Sequence, residues 1–230
     1  MTELRVDWCD AKAARYACER WHYSGTFPTS KTNRLGVWED GRFIGAIIFG
    51  LGASPSLGKP YQLDIFECCE LVRIALRDHV SPVSQMMVRA IKTMHARNPG
   101  LRLIVSFADP FHDHHGGIYQ ATNWLYAGTS QGSTMWQLPD GTYADPRRFN
   151  GHGFNAPKSV PMGSELIRVP GKHRYLFPLD RKMRKQIEPL RKPYPKREPC
   201  GESIEGDASG VQSEGAGSIP APRSLEVTNG

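Results

Sequence analysis

Two short stretches of this 230-residue chain concentrate the residue types that do chemistry. One is Ser106–Phe107–Ala108–Asp109, followed closely by His112–Asp113–His114–His115–Gly116–Gly117; the other is Trp21–His22–Tyr23–Ser24–Gly25. Asp109 comes directly after an apolar run, where a buried strand releases the chain and where ligands of α/β sheets gather. Its carboxylate is there either a base and hydrogen-bond acceptor or the cap of the next turn. His22 and Tyr23 belong to a loop, from which substrate-touching side chains often project, and His22 suits a base or a metal ligand. The histidine run is dense in ligand types, but consecutive residues cannot all turn toward one ion. At most two of them would bind, and others must come from elsewhere, so a divalent ion such as iron would draw on His22, His114 and His115, with Asp109 as a possible carboxylate. The same run also reads as a polar, glycine-flexed loop over a cleft. Arg73 stands between apolar neighbours and needs an anion. That anion is Glu67 or Glu70 of the chain itself, or a phosphate of a cofactor or of DNA.

Periodicity supplies the scaffold that must hold these groups. Asp10 to Trp21 predicts a helix: Ala11, Ala13, Ala14, Ala17 and Cys18 fall on helical spacing, with Asp10 as N-cap. Residues 35–38 and 42–50 predict strands, joined by Glu39–Asp40–Gly41, whose Asp-Gly pair suits the positive φ of a tight hairpin. A strand over 66–76 precedes a helix over 84–97 with Met86, Met87, Val88, Ala90, Ile91 and Met94 on its apolar face. Ser84 at that helix start is an N-cap or a cofactor contact. A strand over 101–107 is apolar enough to be buried on both faces. A short helix (118–123), a strand (124–127) and a hairpin (134–138 with 141–144) follow. The order predicts an α+β fold with a mixed sheet flanked by helices.

Charge divides the chain more sharply than composition does. Residues 1–167 carry 17 Lys and Arg against 15 Asp and Glu; residues 168–197 carry 11 against two; residues 198–230 carry one against six. We expect a body (1–167), a basic arm (168–197) partly docked through Tyr175–Leu176–Phe177, and a disordered acidic tail (198–230) too poor in apolar side chains to offset its ordering entropy. Arg181, Lys182, Arg184 and Lys185 in the arm are either solvated or in contact with the phosphates of double-stranded DNA. No apolar run reaches the roughly 18–20 residues of a membrane span, and the start lacks the basic-then-apolar pattern of a secretory leader. Five cysteines, two of them adjacent and none in a CxxC, argue against a disulfide framework and a zinc finger. A cytoplasmic protein is expected.

The strand–helix–strand–helix–strand core after a hairpin resembles the GNAT acyltransferases. Ile118–Tyr119–Gln120–Ala121–Thr122–Asn123–Trp124 is similar to that superfamily's late motif, with Asn123 in place of a glycine at a left-handed helix end. The resemblance implies acetyl-CoA or a related acyl donor, with Tyr119 facing the carrier sulfur and Arg73, Ser84 and Gln85 contacting the cofactor. Ser81–Pro82–Val83–Ser84 stands where the pyrophosphate loop opens the long helix, without the usual Arg/Gln-x-x-Gly-x-Gly/Ala pattern. Trp21–His22–Tyr23–Ser24–Gly25, Glu70–Leu71–Val72–Arg73, and Ser106–Phe107–Ala108–Asp109 with Gly117–Ile118–Tyr119 together resemble the Mom-type DNA-modification proteins of bacteriophages. This likeness implies carbamoylmethylation of the adenine N6 amine in phage DNA, which blocks host restriction, in the bacterial host cytoplasm. Asp109, Tyr119, His22 and Tyr23 would be the catalytic residues. If the base is flipped out, Tyr23, Phe111 and Trp124 are candidates to stack on it. A generic acyl-CoA-dependent N-acetyltransferase of a small molecule or protein, and a catalytically silent nucleic-acid binder, are the competing readings.

Overall fold

A computed structural model describes residues 2–52, 54–149 and 159–196; the expected acidic tail, 198–230, lies outside the described residues. The elements run β1 (Leu4–Trp8), α1 (Ala11–Trp21), β2 (Thr32–Glu39), β3 (Arg42–Gly50), β4 (Cys68–Leu76), α2 (Val83–Arg97), β5 (Leu103–Ala108), α3 (Gly117–Ala121), β6 (Leu125–Thr129), β7 (Ser133–Gln137), β8 (Tyr143–Ala144), β9 (Glu165–Val169), β10 (His173–Pro178) and α4 (Arg181–Ile187). Seven strands form one sheet in the order β1-β2-β3-β4-β5-β10-β6, and β8-β7-β9 form a second. Of the pairs in the large sheet, β4 with β5 is parallel and the rest are antiparallel.

Local chemistry explains most of the turns. The Asp10 carboxylate accepts the Ala13 N–H and caps α1. Asp40 and Gly41 both take positive φ (48° and 78°) between β2 and β3, as a tight hairpin requires. Asn123 has φ 60° just past α3, and the chain behind it returns the Trp124 N–H to the Tyr119 carbonyl. Asparagine thus fills the left-handed position at modest steric cost. Ser84 is not the N-cap of α2: that position falls to Pro82, which makes no side-chain cap.

Alternation along the strands sorts the helices by face. Ile47, Phe49, Leu71, Ile104 and Tyr175 pack with Met86, Met87, Ala90, Ile91 and Met94 of α2. Ala46, Ile48 and Ala75 meet Ala14, Ala17 and Cys18 of α1 on the other face. On that same side, Leu103, Val105, Leu125 and Leu176 take Met183 and Ile187 of α4. Small residues on both α1 and the sheet allow that helix to sit close. The segment expected to dock as a stem is a whole strand, β10, bonded along one edge to β5 and along the other to β6.

One irregularity opens the sheet. Between β4 and β5 the ladder covers Cys68↔Leu103 to Glu70↔Val105 and stops, although both strands continue. Opposite β3, Ile48 pairs with Arg73 but Phe49 with Leu71, so Val72 is an extra residue. A bulge at that point bends β4 away and re-aims the side chains beyond it.

Candidate active site

Beyond Glu70 and Val105, the gap between β4 and β5 is bridged by side chains. The buried Ser106 Oγ lies 2.8 Å from the Leu71 carbonyl oxygen and 2.8 Å from Tyr119 Oη. One hydroxyl proton cannot serve both; the carbonyl can only accept, so Tyr119 donates to Ser106 and Ser106 to Leu71. Burial raises Tyr119 to a pKa of about 12, so it keeps its proton at any working pH. Its ring packs against Tyr175 and Trp124 at 4.9 and 5.0 Å. Tyr175 Oη donates to the His115 carbonyl at 2.6 Å. Gly116 must be glycine here, because its φ is 77° and a Cβ would stand 2.3 Å from the Tyr175 ring.

Asp109 lies just past the end of β5 and is 8% exposed. One oxygen accepts the Phe111 N–H at 3.1 Å, while the other lies 2.9 Å from Lys172 Nζ and 3.6 Å from His112 Nδ1. Burial opposes its ionisation. The hydrogen bond and charge of Lys172, the Phe111 amide and the nearby His112 outweigh that and hold the carboxyl below its usual range. Asp109 thus caps the following turn and pairs its other oxygen with Lys172.

His22 ends α1 and Tyr23 follows it. The Tyr23 ring lies 4.3 Å from His22 and 4.8 Å from both His112 and His114. The Ser24 N–H donates to His22 Nδ1 at 3.1 Å, with Ser24 Oγ also 2.8 Å away, so the neutral ring carries its proton on Nε2. Burial, then the positive fields of Arg73, His114 and His112, push His22 down to about 4. His114 is lowered too, burial being the larger cause. Three imidazoles thus surround a phenol instead of converging on one centre. Among the described residues no group of three or more His, Cys, Asp or Glu side chains is placed to hold a metal ion. A metal at His22 Nε2 would also need the ring proton on Nδ1, which faces an N–H donor.

Arg73 bonds the Val72 carbonyl at 2.8 Å, and its buried Nε has no hydrogen-bond partner among the described residues. Glu67, one of its two expected anions, lies instead 3.9 Å from Arg102. In the turn before α2, the Glu39 carboxylate accepts the Val80 and Ser81 N–H groups at 3.0 and 2.5 Å. Those two amides are occupied and Pro82 has none. An incoming phosphate would find the Val83 and Ser84 amides at the helix start, a fit for one phosphate group. Gln85 is exposed in the same turn.

The structure therefore gathers His22, Tyr23, Asp109 and His114, with Arg73 within electrostatic reach of His22 and Tyr119 within that of Tyr23. It excludes Trp124 as a stacking surface, since that ring is fully buried. Arg181, Lys182, Arg184 and Lys185 are exposed on α4, and the Asp180 cap of α4 pairs with Arg102 just before β5. They begin at the end of β5 opposite Asp109. Sequence reasoning missed Lys172, which reaches Asp109 from the turn between β9 and β10 and gives no local signal. It also missed Ser106 as a bridge and Tyr143, whose ring meets Phe111 at 4.8 Å.

The Mom protein family matches residues 3–196. "Methylcarbamoylase mom" of Escherichia phage Mu is 26% identical over 205 residues, covering 84% of each chain. Similar solved structures include aminoglycoside acetyltransferase AAC(6')-Ib in complex with coenzyme A, 11% identical over 80% of this chain and 98% of that one, TM-score 0.47. A putative acetyltransferase from Acinetobacter baylyi is 12% identical over 78% and 94%, TM-score 0.44.

Proposed function

This chain belongs to the Mom protein family, and on that premise we propose that it is a DNA-modifying transferase that places a carbamoylmethyl group on the N6 amine of adenine in phage DNA and so shields that DNA from host restriction. The name of the phage Mu relative, a methylcarbamoylase, supports the transferred group. The observation that carries the reading is the convergence of Asp109, Tyr23 and three imidazoles beside the opening between β4 and β5.

Adenine N6 is a poor nucleophile because its lone pair is delocalised into the ring, so orientation and proton removal are the enzyme's tasks. Asp109, ionised at neutral pH, accepts one N6–H and turns the remaining electron pair toward the donor. After the nitrogen–carbon bond forms, that nitrogen is cationic and strongly acidic, so a weak carboxylate base suffices to take its proton. Neutral His22 and the ring of Tyr23 wall the adenine without adding charge. Tyr119 Oη holds a proton close to the strand opening. A carrier related to acetyl-CoA would be held by Arg73 and by the amides of Val83 and Ser84 with Gln85 beside them; to deliver a carbamoylmethyl group it would supply a methylene carbon, whose bond to the carrier breaks as the N6–carbon bond forms and leaves its electron pair with the carrier. Double-stranded DNA is the partner, gripped through Arg181, Lys182, Arg184 and Lys185, with the target base extruded from its stack.

The test is expression in bacteria, digestion of the DNA to nucleosides and mass spectrometry. We expect a heavier deoxyadenosine, absent with Asp109→Asn although that variant still folds and binds DNA. Standard nucleosides alone from abundant soluble protein would transfer the case to an acyl-CoA-dependent N-acetyltransferase acting on a small molecule or protein.

A further inference from the structure

We propose that Phe111 and Tyr143 form a stacking platform for the nucleobase adjoining the target adenine in an unpaired strand, so that the small sheet reads sequence context. The inference rests on the DNA-modifying reading above and adds to it the form of the substrate and the residues that sense its neighbours.

The rings form a row built from three separate segments. From Tyr23 the row steps 4.8 Å to His112, 5.2 Å to Phe111 and 4.8 Å to Tyr143. Tyr23 comes from the loop after α1, Phe111 and His112 from the turn after β5, and Tyr143 from β8 of the second sheet. The row passes directly by Asp109, whose carboxylate lies 3.6 Å from His112. It extends well past the space one base needs.

The plain alternative is that these rings only fasten the small sheet to the body. A fastening ring would be buried by its contacts, and the ring at each end of the row is not: Tyr23 is 54% exposed and Tyr143 41%. Phe111 meets both His112 and Tyr143 nearly perpendicularly, at 84° and 87°. An edge-to-face pair covers one face of one ring and leaves the other three faces of the pair open, whereas a parallel stack covers two. Exposed aromatic side chains beside a base-modifying centre suit nucleobases, because every base offers a π-face, and differences in stacking strength give a modest preference among them. Bases inside a duplex cannot reach them, so the occupant belongs to a locally opened strand. Lys172, half exposed beside Asp109, supplies a cation on the same side for the strand's phosphates.

Single-stranded oligonucleotides with one adenine and a 2-aminopurine next to it provide the test, using the full chain. We expect wild-type protein to quench the 2-aminopurine fluorescence. Tyr143→Leu and Phe111→Leu should relieve the quenching and weaken binding on the order of tenfold. Tyr143→Phe keeps the ring and should still quench, which separates stacking from a hydrogen bond of the hydroxyl. The leucine variants should also flatten the preference for the base beside modified adenines. Tyr143→Leu protein that modifies DNA and quenches as strongly as wild type, with its context preference intact, overturns the platform alone. Wild-type protein that neither binds nor modifies the oligonucleotide or its duplex overturns the DNA reading, and the platform with it.

Discussion

Tyr23 stands among three imidazoles that differ in what they can accept. His22 carries the largest consequence for pH. Its pKa falls from the ordinary histidine value to about 4 on folding, so between roughly pH 6.5 and 4 the unfolded chain binds a proton that the folded chain refuses. Stability therefore declines on acidification through that window and is unaffected above it. Replacing His22 with Asn should remove this part of the acid sensitivity, worth about 1–3 kcal/mol, in thermal melts compared at pH 7 and pH 4.5. Asp109 acts in the same direction, its carboxyl being held below the usual range in the fold, so stability is again lost as pH falls through the carboxylate range, although here the favoured form is the charged one. Lys172→Met should raise the Asp109 pKa and move the acid limb of the pH–activity profile upward, with Lys172→Arg restoring it. Gly116→Ala should cost upwards of about 1–2 kcal/mol for the left-handed backbone alone, plus the displacement of Tyr175, measurable by denaturant unfolding. None of these roles follows from Gly116 or Lys172 as a residue type; each depends on a partner distant in sequence.

Elements whose signals are local were legible, and those defined by distant partners were not. The alanine spacing behind Asp10, the Asp-Gly hairpin and Asn123 after α3 each encode their geometry within a few residues. β1 escaped notice although Leu4, Val6 and Trp8 alternate with exposed Arg5 and Asp7, because five residues are too short a run to stand out. β10 was hidden by the charges around it, and its place between β5 and β6 follows from no periodicity. The candidate site was legible as two motifs, but the link between them, Tyr23 lying against His112 and His114, is tertiary. So is the service of Glu39, at the end of β2, to the Val80–Ser81 turn. Glu39→Ala leaves two amides without their charged acceptor and should destabilise the protein, read as a lower midpoint in urea.

At the scale of the whole molecule, the basic segment is part of the architecture. Met183 and Ile187 are buried, Gln186 bonds the Tyr61 carbonyl, and Tyr194 bonds that of Trp124. Cutting the chain after Asp180 would strip the core under α4, so the clean test of its cations keeps the helix. Changing Arg181, Lys182, Arg184 and Lys185 to Gln should leave the melting temperature close to wild type. The salt dependence of DNA affinity should flatten by up to about 3–4 in log–log slope, as measured by fluorescence anisotropy from low to high salt. The geometry adds a constraint: six residues of β10 at about 3.3 Å each separate the α4 end from the Asp109 end by roughly 20 Å. A duplex held by α4 must therefore lie along the body if it is to present an adenine at the other end. Among the described residues no helix is long and apolar enough to cross a membrane.

The late insertion of β10 also has a bearing on synthesis. A ribosome that has released everything through β9 has made both motifs of the site, yet β5 and β6 still lack the partner that joins them. Until that strand emerges, Leu103, Ile104 and Val105 border an open row of backbone donors and acceptors, the kind of rim along which nascent chains adhere to one another. A message truncated just short of codon 173 should thus yield aggregates instead of a smaller folded protein, and the large sheet should close only once β10 has emerged.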